Sequence, residues 1–170
     1  INVTRQNFGT LQVNVAPPIK LDEWLSDHHA LQASSDDKVI ALGQSIMRSI
    51  NERASINPVN LVALAITQRT HLTMPDDALG GQVACFRQLA RRLHGDAILT
   101  SNVESGGDII DQVAALGFIR RQTDEPWVSC NSSAATLLTW YRNNVLHLFA
   151  APSLVALLVS RAKAGIQERH

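Results

Sequence analysis

Asn57-Pro58 opens the stretch that most constrains this chain. Asparagine supplies an N-cap side chain, and proline suits the first helical position. The run Val59 to Ile66 that follows reads as apolar on every side. A helix of that kind sits inside a core, not on a surface. Each large side chain buried there contributes roughly 1.5–3 kcal/mol. The chain has 170 residues, enough for one ordinary domain with a sizeable core. Hydrophobic residues make up 45% and charged residues 18%, a globular balance rather than a disordered one.

Helices are expected on both sides of this run. Leu21 to Leu25 reads as a short helix, and Gln32 to Ser35 as a polar linker and the domain boundary. A long helix is expected over 36–54. Asp36 and Asp37 suit its positive N-terminus, and Val39, Leu42, Ile46 and Ile50 form a stripe flanked by Met47. Pro75-Asp76-Asp77 starts another helix, with Leu79, Val83, Phe86, Leu89 or Ala90, and Leu93 inward. Arg91, Arg92 and His94 occupy its last turn and Gly95 caps it. Gly80-Gly81 weakens that helix by roughly 1 kcal/mol per glycine. Gly107 to Leu116 reads as a short helix closed by Gly117, with Ile109, Ile110, Val113 and Leu116 inward. Ser132 or Ser133 caps a helix to about Leu148. Ala151-Pro152-Ser153 is expected to break it before a last helix over 153–167.

Three segments read as strands. Residues 8–15 alternate Leu11, Val13 and Val15 with polar neighbours, and Pro17-Pro18 ends them. Phe118 to Gln122 and Trp127 to Cys130 make a hairpin about the turn Asp124-Glu125-Pro126. The expected fold is mainly α with a small β-hairpin, close to a winged-helix arrangement, plus an N-terminal strand. The longest apolar stretch, Val145 to Val159, is interrupted and falls short of the ~20 residues of a spanning helix.

Little in the composition points to chemistry. Basic and acidic residues balance at 15 each, so no cationic stripe marks a nucleic-acid binder. The helix before the hairpin carries Asp108 and Asp111 and no cation before Arg120, which argues against a DNA reader. That leaves a protein-interaction module as the alternative for a winged-helix chain. Cys85 and Cys130 lack metal-ligand spacing and read as buried, reduced thiols, so no metal or other cofactor is expected. Ser132 and Ser133 form no recognised nucleophile arrangement. His71 and Asp76 fit His-x-x-x-x-Asp by spacing, but no arginine-rich motif follows, and Asp76 has a helix start to serve. His147 reads as a core histidine. Trp24, Trp127 and Trp140 read as packing residues, and Arg120-Arg121 as a solvated turn.

The segment Trp140-Tyr141-Arg142-Asn143-Asn144-Val145-Leu146-His147-Leu148-Phe149-Ala150-Ala151-Pro152-Ser153-Leu154 carries a resemblance. It is similar to the tyrosine-arginine-asparagine-asparagine segment near the C-terminal end of bacterial and mitochondrial glycerol-3-phosphate acyltransferases. There, as here, a histidine follows and then proline-serine-leucine. Ile50 to Leu64 resembles the family's helix pair after the catalytic domain. Gly9 to Ile19 resembles the last strand of the acyltransferase domain, with Val15-Ala16 in place of phenylalanine-glycine.

The resemblance implies residues 1–30 as the end of the acyltransferase domain and 31–170 as a C-terminal helical domain. It implies acyl transfer from acyl-CoA or acyl carrier protein to glycerol 3-phosphate, with the catalytic histidine and aspartate upstream and none in this chain. It also implies an upstream acyltransferase domain as partner, a membrane surface, and a peripheral place on the cytoplasmic face of the inner membrane. Tyr141, Arg142, Asn143 and Asn144 are the structural or interdomain candidates. Arg142 is suited to a carboxylate or phosphate. A helix–helix polar contact is the favoured role for the group, because asparagine is not placed mid-helix for propensity.

Overall fold

The computed structural model describes residues 12–27, 34–121, 126–130 and 132–167; side chains at 132 and 163–167 are left aside. The chain divides into two compact units, one over Gln12–Ala54 and one from Ser55 onward.

The first unit holds α1 (Leu21–Asp27) and α2 (Ser35–Glu52). Ser34 caps α2 through a reciprocal box. Its hydroxyl accepts from the Asp37 amide at 3.3 Å, and its amide donates to Asp37 Oδ2 at 3.1 Å. Asp37 is thus a capping partner as well as a dipole charge. Asn14 donates to the Arg53 carbonyl at 2.7 Å and ties the incoming chain to the end of α2. Residues 12–20 form no strand, and Val13 and Val15 are exposed. A strand needs a partner for its backbone groups, and none pairs with these residues; 8–11 lie outside the described residues.

The second unit contains α3 (Pro58–Ile66), β1 (Thr73–Pro75), α4 (Asp76–His94), a 3-10 turn (Asp96–Ile98), α5 (Gly106–Ala115), β2 (Arg120–Arg121), β3 (Trp127–Ser129) and α6 (Ser132–Gln167). The buried helix is where the sequence puts it. Every residue from Val59 to Ile66 is 0–3% exposed, enclosed by α4, α5 and α6. The hairpin forms from β2 and β3, with its turn at 122–125 outside the described residues. A third strand, missed in the sequence, completes an antiparallel sheet of order β1-β3-β2. Thr73 pairs with Ser129, Met74 with Val128 and Pro75 with Trp127. Only Met74 and Val128 of these face the core, so three residues ending in proline gave no alternation to read.

Two expectations about helices need correction. On α4, Leu93 is exposed and Arg87 takes a place in the inward stripe between Val83 and Ala90. The break at Pro152 does not occur, and α6 runs unbroken through it. Proline at 152 cannot donate to the Leu148 carbonyl four residues back. His94, from the end of α4, brings Nε2 to 3.4 Å from that carbonyl, and the tautomer with the proton on Nε2 donates to it. Unbroken, Ser133–Ala162 is long and apolar enough, by length and composition, to cross a membrane. Its first half is already committed: Leu138, Val145 and Phe149 lie in the domain core.

Smaller expectations also shift. Cys85 is exposed, while Cys130 is half-buried and burial pushes its thiol pKa up. His147, Trp127 and Trp140 are exposed rather than packed inside. Leu138, Tyr141, Val145 and Phe149 fix the inward face of α6, which leaves Trp140 and His147 on the other side.

Candidate functional site

Three polar clusters hold the second unit, and each consumes side chains that the sequence leaves open. The first lies between the sheet and α5. Arg121 donates to Asp76 Oδ2 at 2.5 Å and to Asp111 Oδ1 at 2.6 Å. The Asp76 carboxylate first, and Asp111 after it, hold the guanidinium still more firmly protonated than usual. The Asp76 amide donates to the Pro126 carbonyl at 2.8 Å. Arg121 is therefore a cross-link between α4, α5 and the hairpin, and like Arg120 it stays exposed. His71 is exposed on the turn before β1, next to Leu72 with its left-handed φ of 52°. The aspartate of the His71–Asp76 spacing is taken up by an arginine that joins three elements.

The second cluster joins α4 to the loop before α5. Arg87 is only 6% exposed, and its Nη1 lies 3.6 Å from Glu104. Arg91 donates to the same carboxylate at 2.8 Å and pairs with Asp96. The hydrogen bond from Arg91 holds the Glu104 carboxyl below its ordinary pKa, with the charges of Arg91 and Arg87 acting in the same direction. Two successive turns of α4 thereby grip the segment that leads into α5.

The third cluster contains Tyr141. Asn57 and Asn60 form a reciprocal capping box: the Asn57 amide donates to Asn60 Oδ1 at 2.8 Å, and the Asn60 amide donates to Asn57 Oδ1 at 2.9 Å. Asn60, 3% exposed, then donates from Nδ2 to the Tyr141 carbonyl at 2.7 Å. A helical carbonyl has a second lone pair to receive it. The Tyr141 ring stands edge-on to Phe118 at 5.5 Å, and burial raises its hydroxyl pKa. Helices α3 and α6 are thus joined through a polar link inside an apolar contact.

The structure separates the four candidates on α6. Tyr141 turns inward, while Asn143 and Asn144 are exposed and Arg142 is half-buried. Arg142 donates through Nε and Nη2 to Asn143 Oδ1 at 3.2 and 3.0 Å. With Trp140, 68% exposed, they form an outward face of mixed character. Asn60, Arg87 and Glu104 were missed in the sequence. Asn57-x-x-Asn60 has the spacing of a capping box, and that signal could have found Asn60. Arg121 carried no such signal, because Asp76 is 45 residues away. Among the described residues, no group of three or more histidine, cysteine or acidic side chains is placed to hold a metal ion.

The comparisons with known proteins agree with the resemblance. The family model described as glycerol-3-phosphate acyltransferase C-terminal region matches residues 1–170. A glycerol-3-phosphate acyltransferase of Ectopseudomonas mendocina (strain ymp) is 34% identical over 92% of this chain and 20% of its own length. One from Pseudomonas fluorescens (strain SBW25) is 32% identical with the same coverage. The chain therefore spans about a fifth of the length of the curated relatives it matches. No solved structure matches it. This chain belongs to the family of glycerol-3-phosphate acyltransferase C-terminal regions.

Proposed function

We propose that the chain is the non-catalytic C-terminal part of a glycerol-3-phosphate 1-O-acyltransferase. The longer protein would transfer an acyl group from acyl-CoA or acyl carrier protein to glycerol 3-phosphate in phospholipid synthesis. The observation that carries the non-catalytic reading is the fate of the chain's one His-x-x-x-x-Asp pair. A base needs its orienting carboxylate within hydrogen-bond reach. Asp76 instead holds Arg121, and His71 stands on an exposed turn.

Residues 31–170 act in this reading as a support domain, and 1–30 as the end of the acyltransferase domain. The order helix, strand, helix, helix and hairpin, with strand order β1-β3-β2, supports a winged-helix form for the second unit. The outward group Arg142, Asn143 and Asn144 faces the upstream domain in this reading, with Tyr141 anchoring it from within. The enzyme sits peripherally on the cytoplasmic face of the inner membrane, a place suited to a product that enters the bilayer.

The test is CoA release from palmitoyl-CoA with glycerol 3-phosphate. The purified chain and its His71→Ala variant are both expected to be silent. His71→Ala in the longer protein is expected to leave the rate unchanged. Release by the chain that disappears on His71→Ala would overturn the reading.

A further inference from the structure

The second half of α6 carries a surface that the domain core does not use. Leu154, Val155, Leu157, Leu158 and Val159 are each 49–60% exposed. Side chains of this size gain roughly 1.5–3 kcal/mol each when removed from water, so a cover for them would be strongly favoured. At 100° per residue, Leu154 and Leu158 fall on the same side of the helix as Trp140, and Val155, Leu157 and Val159 flank them. The narrower opposite side carries Ser153, Ala156 and Ser160.

Charge identifies the cover. From Ser132 to Gln167 there is no carboxylate, while Arg142, Arg161 and Lys163 are cationic. The apolar side of α2 is also exposed at Val39, Ile40, Ile46, Met47 and Ile50. There, however, Asp36, Asp37 and Glu52 outnumber Lys38 and Arg48. An anionic leaflet attracts the first helix and not the second. Length then sets the depth. Ser153–Ala162 rises about 15 Å, half of the ~30 Å hydrocarbon layer. Arg161 near its end favours the headgroups, where its stem can stay apolar while the guanidinium meets phosphate.

We infer that Ser153–Ala162 lies along an anionic lipid surface, with its Leu154 and Leu158 side in the boundary between headgroups and acyl chains. This rests on the membrane-surface reading above and names the contact.

Flotation of the whole chain tests it, using vesicles of phosphatidylglycerol with phosphatidylethanolamine, and of phosphatidylcholine alone. The chain is expected to float with the anionic vesicles and to bind phosphatidylcholine more weakly. The double variant Leu154→Glu, Leu158→Glu should lose about tenfold or more of that binding. Both positions are exposed, so circular dichroism should remain unchanged. The variant Ile46→Glu, Ile50→Glu on α2 should bind as the parent chain does. Unchanged binding by the α6 variant, or loss in the α2 variant alone, would overturn the contact and leave the membrane reading standing. No flotation of the unaltered chain at all would overturn both.

Discussion

Gly106→Ala is expected to destabilise the second unit by about 3 kcal/mol or more. A Cβ at Gly106 would stand 2.2 Å from the Gly80 carbonyl oxygen and 2.8 Å from its carbon. Backbone cannot move aside as a flexible side chain can, so α4 and α5 would have to separate. Those two helices close one side of the core around Ile109, Ile110 and Val113. The melting midpoint should fall by on the order of 10 °C. Gly81→Ala is the matched control, because nothing lies within 4 Å of its Cβ. It should raise stability by about 0.5–1 kcal/mol, as alanine does for glycine inside a helix. Urea melts of the three proteins check this. Equal midpoints for Gly106→Ala and the parent chain would mean the helices do not meet at that distance.

The second large effect is at Asn60. Asn60→Leu removes the acceptor for the Asn57 amide and the donor to the Tyr141 carbonyl. The expected cost is about 2–3 kcal/mol, from a half-buried N–H left without a partner and a lost link between α3 and α6. Asn60→Asp separates the two losses. A carboxylate still accepts from Asn57 but faces the Tyr141 carbonyl with no hydrogen to give. Burial and this repulsion both disfavour its charged form, so its folded pKa is raised above the unfolded value. The deficit relative to the parent chain is therefore largest above that raised value and shrinks as pH falls through it. Paired thermal melts from neutral to acid pH read this directly. A deficit that grows toward acid would contradict the assigned hydrogen bond.

The same residues show how much the sequence discloses. Asn57-Pro58 and the run to Ile66 announced a buried helix, and the structure buries it completely. Gly95 and Gly117 announced helix ends, and both adopt positive φ. These features are local: a cap, a period or a turn is written within a few residues. The polar clusters are not. Arg121 finds Asp76 across 45 residues, and Arg87 sits in an apolar stripe with Glu104 3.6 Å from its guanidinium. Gly80-Gly81 read as a weakness of one helix, and its packing value appears only when Gly106 is set against Gly80. At Pro152 the local rule called for a break, yet the helix runs on, with His94 Nε2 3.4 Å from the carbonyl that proline leaves open. Of the candidate site, the sequence placed the segment Tyr141–Asn144 on a helix. It did not separate the inward tyrosine from its outward neighbours.

The most direct measurement of a support role pairs this chain with the longer protein, each carrying Arg142→Ala and Asn143→Ala together. Asn143 is exposed, and the two side chains bond mainly to each other. The isolated chain should therefore melt within about 0.5 kcal/mol of its parent, as surface substitutions usually do. In the longer protein, acyl transfer to glycerol 3-phosphate should fall by about tenfold, the size of one interface contact near 1.4 kcal/mol. Full activity together with an unchanged melt would contradict the account, because this face of α6 would then support nothing upstream.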